Sequence, residues 1–199
     1  VIHLYRDFYP KRGGIEDHIL TLAQTPSARY RHLVLTAADG PLTQCTTVQG
    51  VPVIRAANLG RSYASFCPTM TAWLHHLQPG IVHLHHPCPT AFLARLLYRR
   101  PLPTVIGYHN DIVKPRALVP AYKRFQALVL RQADAILVGT EDYLATSPFL
   151  TPVRPKCYLA PYGIPLPSAA ELAAADQMAA TIRQRYPGPL VLLVGRLCY

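Results

Sequence analysis

Short apolar runs recur along the whole chain, and the segments between them repeat their apolar positions at helical spacing. Runs at residues 1–6, 32–37, 51–55, 80–85, 103–108, 134–138, 156–159 and 189–194 read as strands. Ile15, Ile19 and Leu22 fall at i, i+4 and i+7, and Tyr122, Phe125 and Val129 follow the same period less cleanly. Strands apolar on both faces, alternating with helices, predict an α/β fold with a doubly wound parallel sheet covered on both sides. The stretch Ala160-Pro161-Tyr162-Gly163-Ile164-Pro165-Leu166-Pro167 reads as a connector. The expected division is therefore a first domain over 1–160 and, over 161–199, a connector, a helix and the first strand of a second, truncated domain. Ser168 with Glu171 three residues on is a capping-box pattern that opens an Ala-rich helix to about Tyr186. Pro187-Gly188-Pro189 stops it, and Leu190 to Val194 reads as a buried parallel strand before Gly195-Arg196-Leu197. A parallel strand with no crossover after it is an unfinished unit.

Composition narrows the function classes. Half of the 199 residues are apolar and 15% are charged, yet no apolar run approaches the roughly 20 residues that cross a bilayer. Val1 already opens a strand-like run with no leader pattern before it, so the reading expects a trimmed N-terminus and a cytoplasmic protein. The five cysteines are odd in number and never spaced C-x-x-C, which suggests neither a disulfide framework nor a thiolate metal site. They are expected to be buried or half-buried free thiols. The net charge of +10 is concentrated: residues 40–133 hold ten basic residues and the single acid Asp111, a net +9. Such a face attracts phosphates, anionic lipid or nucleic acid without distinguishing them.

Candidate chemistry begins at Tyr9-Pro10-Lys11-Arg12-Gly13-Gly14-Ile15-Glu16, between the first strand and the first helix. Paired glycines there let backbone amides approach a phosphate at the positive end of the helix dipole, although a tight turn alone also explains them. The spacing is neither G-x-G-x-x-G nor that of a P-loop, which disfavours a dehydrogenase or a kinase.

Five further segments follow in order: Gly80-Ile81-Val82-His83-Leu84-His85-His86-Pro87, Val105-Ile106-Gly107-Tyr108-His109-Asn110-Asp111-Ile112-Val113, Ala133-Asp134-Ala135-Ile136-Leu137-Val138, Pro161-Tyr162-Gly163-Ile164 and Val194-Gly195-Arg196-Leu197. With the Gly-Gly turn they resemble the family 4 glycosyltransferases of the GT-B fold over essentially the whole chain. Gly139-Thr140-Glu141-Asp142-Tyr143, before a helix expected to carry Ser147 and Leu150, is similar to the mannosyl- and hexosyltransferase branch.

The resemblance implies a Rossmann-like acceptor domain. It also implies transfer of a hexose, with retention, from a nucleotide-diphosphate sugar to a lipid-linked or saccharide acceptor, with no obligatory metal or other cofactor. It implies that His109 lies by the transferred sugar, that Gly13, Gly14 and Arg196 meet the donor phosphates, and that Glu16, His85, Asp111 and Lys123 line the acceptor side or the cleft. The truncated chain alone is expected to be inactive. A peripheral location on the inner face of the membrane, held by Arg95, Arg99, Arg100, Lys114, Arg116, Lys123 and Arg124, fits the charge; no nucleic acid is expected as partner. The chain departs from the family at Gly80, where an acid often precedes Val-His, and at Tyr162-Gly163-Ile164-Pro165, where Asn-Gly-Ile/Val-Asp is usual.

Two other classes compete. His83 and His85 share one face of a strand, and with His109 and Asp111 they could hold a divalent ion in a metal-dependent hydrolase. The +9 stretch could serve a nucleic-acid-binding module, though no helix-turn-helix, aromatic RNP pattern or basic zipper accompanies it.

Overall fold

The computed structural model describes residues 1–59, 67–112 and 119–194, without the side chains of 119–121. In chain order the strands are β1 (Ile2–Leu4), β2 (Leu33–Ala37), β3 (Gln44–Val48), β4 (Val51–Ala56), β5 (Val82–His86), β6 (Thr104–Tyr108), β7 (Ala135–Val138) and β8 (Cys157–Leu159). The helices are α1 (Gly14–Gln24), α2 (Thr69–Leu77), α3 (Pro89–Leu97), α4 (Val119–Gln132), α5 (Glu141–Thr146) and α6 (Ala169–Arg185). The chain divides into two compact units, Val1–Gly163 and Ile164–Tyr199.

The first unit holds one eight-stranded sheet in the order β3-β4-β2-β1-β5-β6-β7-β8, parallel except for the β3–β4 pair. The parallel, doubly wound α/β sheet expected from the alternation is therefore present. Valine, isoleucine and leucine fill its centre: Leu4, Val34, Leu35, Val82, Leu84, Ile106 and Ile136 are fully buried, with Ile19 and Leu20 of α1 and Met70 and Leu74 of α2 packed on the same core. The strand order reverses between β1 and β5. From β1 the chain runs through α1 to β2 on one side, and later from β4 through α2 to β5 on the other. In open sheets of this kind that reversal leaves a crevice at the carboxyl ends of the strands, where ligands bind.

Three expectations are corrected. β3 is an added antiparallel edge strand; four of its five residues are exposed, so Gln44-Cys45-Thr46-Thr47-Val48 carries no apolar run to betray it. Cys45 on it is exposed, whereas Cys67 and Cys88 are buried and Cys157 is half-buried as expected. The helix after Thr140 stops at Thr146; Ser147 is its C-cap, and Leu150 precedes a 3₁₀ turn over Thr151–Lys156.

In the second unit, α6 opens with the expected capping box, Ser168 accepting from the Glu171 amide and Glu171 receiving the Ser168 amide. Residues 189–194 form no strand, and Leu190 to Val194 are exposed. A strand exists through its ladder, and these residues pair with no strand among the described ones. Gly195, Arg196, Leu197 and Cys198, and Arg61, Lys114 and Arg116 of the basic stretch, lie outside the described residues. Among the described residues no helix is long and apolar enough to cross a membrane.

Candidate functional site

β1 and β5 pair with His3 opposite His83, and β5 and β6 pair with His85 opposite Gly107. Side chains alternate across a strand, so His3, His83, His85 and the vacant side of Gly107 share one face. His86 and Tyr108 occupy the other face, stacked with ring centroids 4.4 Å apart and 3° between planes. A Cβ placed on Gly107 would lie 3.1 Å from His83 Nε2, 3.3 Å from His85 Nδ1 and 3.4 Å from His109 Nε2. Glycine at this position is what lets the three imidazoles converge above β6.

A chain of ring contacts runs through this face. His3 Nε2 meets His32 Nδ1 at 2.9 Å, His3 Nδ1 meets His85 Nε2 at 3.2 Å, and His85 Nδ1 meets His109 Nε2 at 3.1 Å. His83 Nε2 is buried without a hydrogen-bond partner, which costs about 1–3 kcal/mol. Burial holds His3 and His85 well below the ordinary imidazole range, with neighbouring histidines adding to the effect. Burial likewise brings His83 to about 4 and His109 to about 3. These rings are neutral at physiological pH, each with one N–H to give and one lone pair to receive.

His18 of α1 reaches the same place: its ring centroid lies 5.4 Å from that of His109 and 4.6 Å from that of Tyr162. Tyr162 also faces His109 at 5.1 Å, and its hydroxyl donates to the Tyr108 carbonyl at 3.2 Å. Gly139 makes room for the Tyr162 ring, since a Cβ there would meet Tyr162 Cε2 at 2.8 Å. Tyr162 thus forms an aromatic wall beside His109.

One turn before His18, α1 begins at Gly14 with Gly13 as its N-cap in extended conformation and no side chain capping it. Nothing lies within 4 Å of where a Gly14 Cβ would be. Packing inside the protein therefore does not demand glycine at 14, and the turn's outer side is open. Asp17 accepts from the Tyr9 hydroxyl and faces the Arg12 guanidinium, while Glu16 is buried on the helix's inner side.

Of the residues singled out from sequence, His85 and His109 are in contact, and Gly13 and Gly14 open the helix that brings His18 to them. Asp111 stands apart from the imidazoles: it accepts from Tyr108 Oη at 2.7 Å and Ser147 Oγ at 3.0 Å, and Gln126 donates to the same tyrosine oxygen at 2.7 Å. These bonds link Asp111 to Tyr108 of β6 and to Ser147, the C-cap of α5. Lys123 is exposed on α4, with Nζ 5.3 Å from the centre of the Phe149 ring. His3, His18 and Tyr162 were not singled out as site residues; each lies far from His109 in sequence, and they meet through the pairing of β1 with β5 and β6, the packing of α1, and the pairing of β6 with β7 and β8. Among the described residues, the group whose ligand atoms lie close enough to hold an ion, within 4.8 Å of one another, is His3, His83 and His85, rather than His83 and His85 with His109 and Asp111.

Comparison with known proteins accords with this geometry. Residues 13–163 match the glycosyl transferase 4-like domain. The chain is 27% identical over 169 residues to the D-rhamnosyltransferase WbpZ of Pseudomonas aeruginosa, covering 82% of this chain and 44% of that protein. It is 29% identical over 170 residues to the O-antigen chain mannosyltransferase C of Escherichia coli, covering 82% and 46%. The chain thus spans about half the length of the curated relatives it matches. Its fold resembles that of a sucrose-phosphate synthase fragment from Thermosynechococcus elongatus with a TM-score of 0.53 at 14% identity, covering 94% of this chain and 98% of that one. A second structure of that synthase gives 0.51 at 13% identity, covering 88% and 52%. At such identities the likeness concerns the fold, a Rossmann-like domain of the GT-B type.

Proposed function

The chain belongs to the glycosyl transferase 4-like domain family, and from that membership we propose that it is the acceptor-side part of a retaining transferase. The enzyme moves a hexose from a nucleotide-diphosphate sugar to a lipid-linked or saccharide acceptor. The observation that carries this reading is the uncapped start of α1, open at Gly14, on the same helix that sets His18 against His109 at the strand-order reversal.

The amides of that helix start, with no side chain capping them at Gly13, suit the donor phosphates, where the helix dipole favours negative charge. His109, held neutral by burial, orients the transferred sugar by hydrogen bonds instead of attacking it. The resemblance assigns Arg196, which lies outside the described residues, to the donor diphosphate, where its charge would offset that of the leaving nucleotide. The family's chemistry needs no resident metal. A peripheral place on the inner membrane face, with a lipid-linked acceptor, agrees with exposed Lys123 and Arg124 and with the O-antigen chain relative.

The test is transfer by the full-length enzyme, offered a panel of labelled nucleotide sugars with lipid-linked and free saccharide acceptors. Product with the same anomeric configuration as the donor is expected. Transfer with inverted configuration, or hydrolysis of unrelated esters dependent on added metal, contradicts the proposal.

A further inference from the structure

The donor-side residues discussed above leave His3 and His32 without a function, although they continue the imidazole contacts away from the cleft. His32 is half-buried at the start of β2, His3 and His85 are fully enclosed, and His109 stands at the cleft. Three contacts of 2.9, 3.2 and 3.1 Å join the four rings in the order His32, His3, His85, His109.

We propose that these four imidazoles act as one hydrogen-bonded relay in which His3 and His32 are positioning residues that decide which nitrogen of His109 carries its proton.

A neutral imidazole has one N–H and one lone pair, so it donates through one ring nitrogen and accepts through the other. His3 and His85 each use both nitrogens in the relay. If His32 donates to His3, then His3 must donate to His85 and His85 to His109, leaving His109 with its proton on Nδ1. If His3 donates to His32, every bond reverses and His109 donates from Nε2. No other arrangement of neutral rings satisfies all three contacts. Burial keeps the interior rings neutral, because an extra charge there lacks water. A buried unsatisfied nitrogen costs about 1–3 kcal/mol, enough to favour the two concerted settings over mixed ones. In the first setting Nδ1 of His109 is a donor, and in the second it is an acceptor. The choice sets whether His109 can give a hydrogen bond from that nitrogen to a sugar hydroxyl, a consequence that rests on the function proposed above. The relay itself does not rest on it.

His83 stands outside the chain with its Nε2 unpartnered. A metal ion held by His3, His83 and His85 would take a lone pair from one ring nitrogen of each, and both nitrogens of His3 and of His85 are engaged in the relay. The two occupancies of this cluster are therefore exclusive.

The experiment is nitrogen NMR on the 199-residue chain with labelled histidine, reading couplings across the N–H···N hydrogen bonds and the protonated nitrogen of each ring. Couplings are expected for His32–His3, His3–His85 and His85–His109, with the donors all running in one direction. In His3→Leu the His85–His109 bond loses its fixed direction, and the single His109 tautomer should become a mixture. Should that variant not fold, His32→Leu at the half-buried end is expected to loosen the same choice, and His32→Gln, whose amide both donates and accepts, to restore it. Opposed donor directions in the folded chain, or a His109 tautomer unaltered in the folded variants, would overturn the relay. So would the absence of these couplings in the folded, metal-free chain.

Discussion

Gly107 lies directly opposite His85 in the β5–β6 ladder, and the space where a Gly107 side chain would stand is filled by the imidazoles of His83, His85 and His109. Its glycine is thus explained by a side-chain cluster and not by a turn. Gly107→Ala forces those rings back, and overpacking of this kind costs about 1–3 kcal/mol. A lower denaturant midpoint, with the His85–His109 contact lengthened, is expected. Wild-type stability with unchanged histidine signals would contradict the convergence.

Tyr162 and Gly139 form a second such pair. The Gly139→Ala methyl would meet the tyrosine ring, which is the outer end of a side chain and can move. The expected outcome is little loss of stability but a displaced Tyr162, and in the full-length enzyme a fall in kcat/KM. Tyr162→Phe, which loses only the hydrogen bond to the Tyr108 carbonyl, should be milder. Equal activity of Gly139→Ala and wild type would remove Tyr162 from the site.

The buried histidines make stability depend on pH. His83 and His86 fall from an ordinary value of 6.5 to about 4 and about 3, both mainly through burial. Below pH 6.5 the unfolded chain binds protons that the folded chain refuses, so stability falls as pH drops and continues to fall towards the folded values. Each such histidine contributes about 1.4 kcal/mol per pH unit in that window. Denaturant midpoints should be level above pH 7 and decline between pH 6.5 and 5, before most carboxylates titrate. A level profile down to pH 5 would contradict the burial of these rings.

Much of the fold was legible because burial on both sheet faces writes itself as continuous apolar runs, as at Leu33 to Leu35 and Ile136 to Val138. β3 was not, because an exposed edge strand has no such signature; its only cue is the hairpin turn at Gln49 and Gly50, where φ is 46° and 85°. Leu190 to Val194 misled in the opposite direction, since apolar composition supplies the propensity for a strand but not a neighbour to pair with. At the site, His85 and His109 were readable only through the resemblance of their segments to the family. His3 and Tyr162 were not, since their partners lie 82 and 54 residues away along the chain.

Membrane association is expected to be electrostatic. Replacing Lys123 and Arg124 together by glutamine should reduce co-sedimentation with anionic liposomes and leave neutral liposomes unaffected. Added salt should act in the same direction, because attraction between exposed charges is screened over roughly 8 Å at physiological ionic strength. Equal binding to neutral and anionic vesicles would exclude this mode.

Whether His109 meets the transferred sugar is decided by comparing His109→Ala with wild type in the full-length enzyme at saturating donor and acceptor. A group that acts on the reacting sugar should lower kcat strongly, on the order of 10²-fold, while donor affinity changes far less. Unchanged kcat at saturation would place His109 outside the reaction.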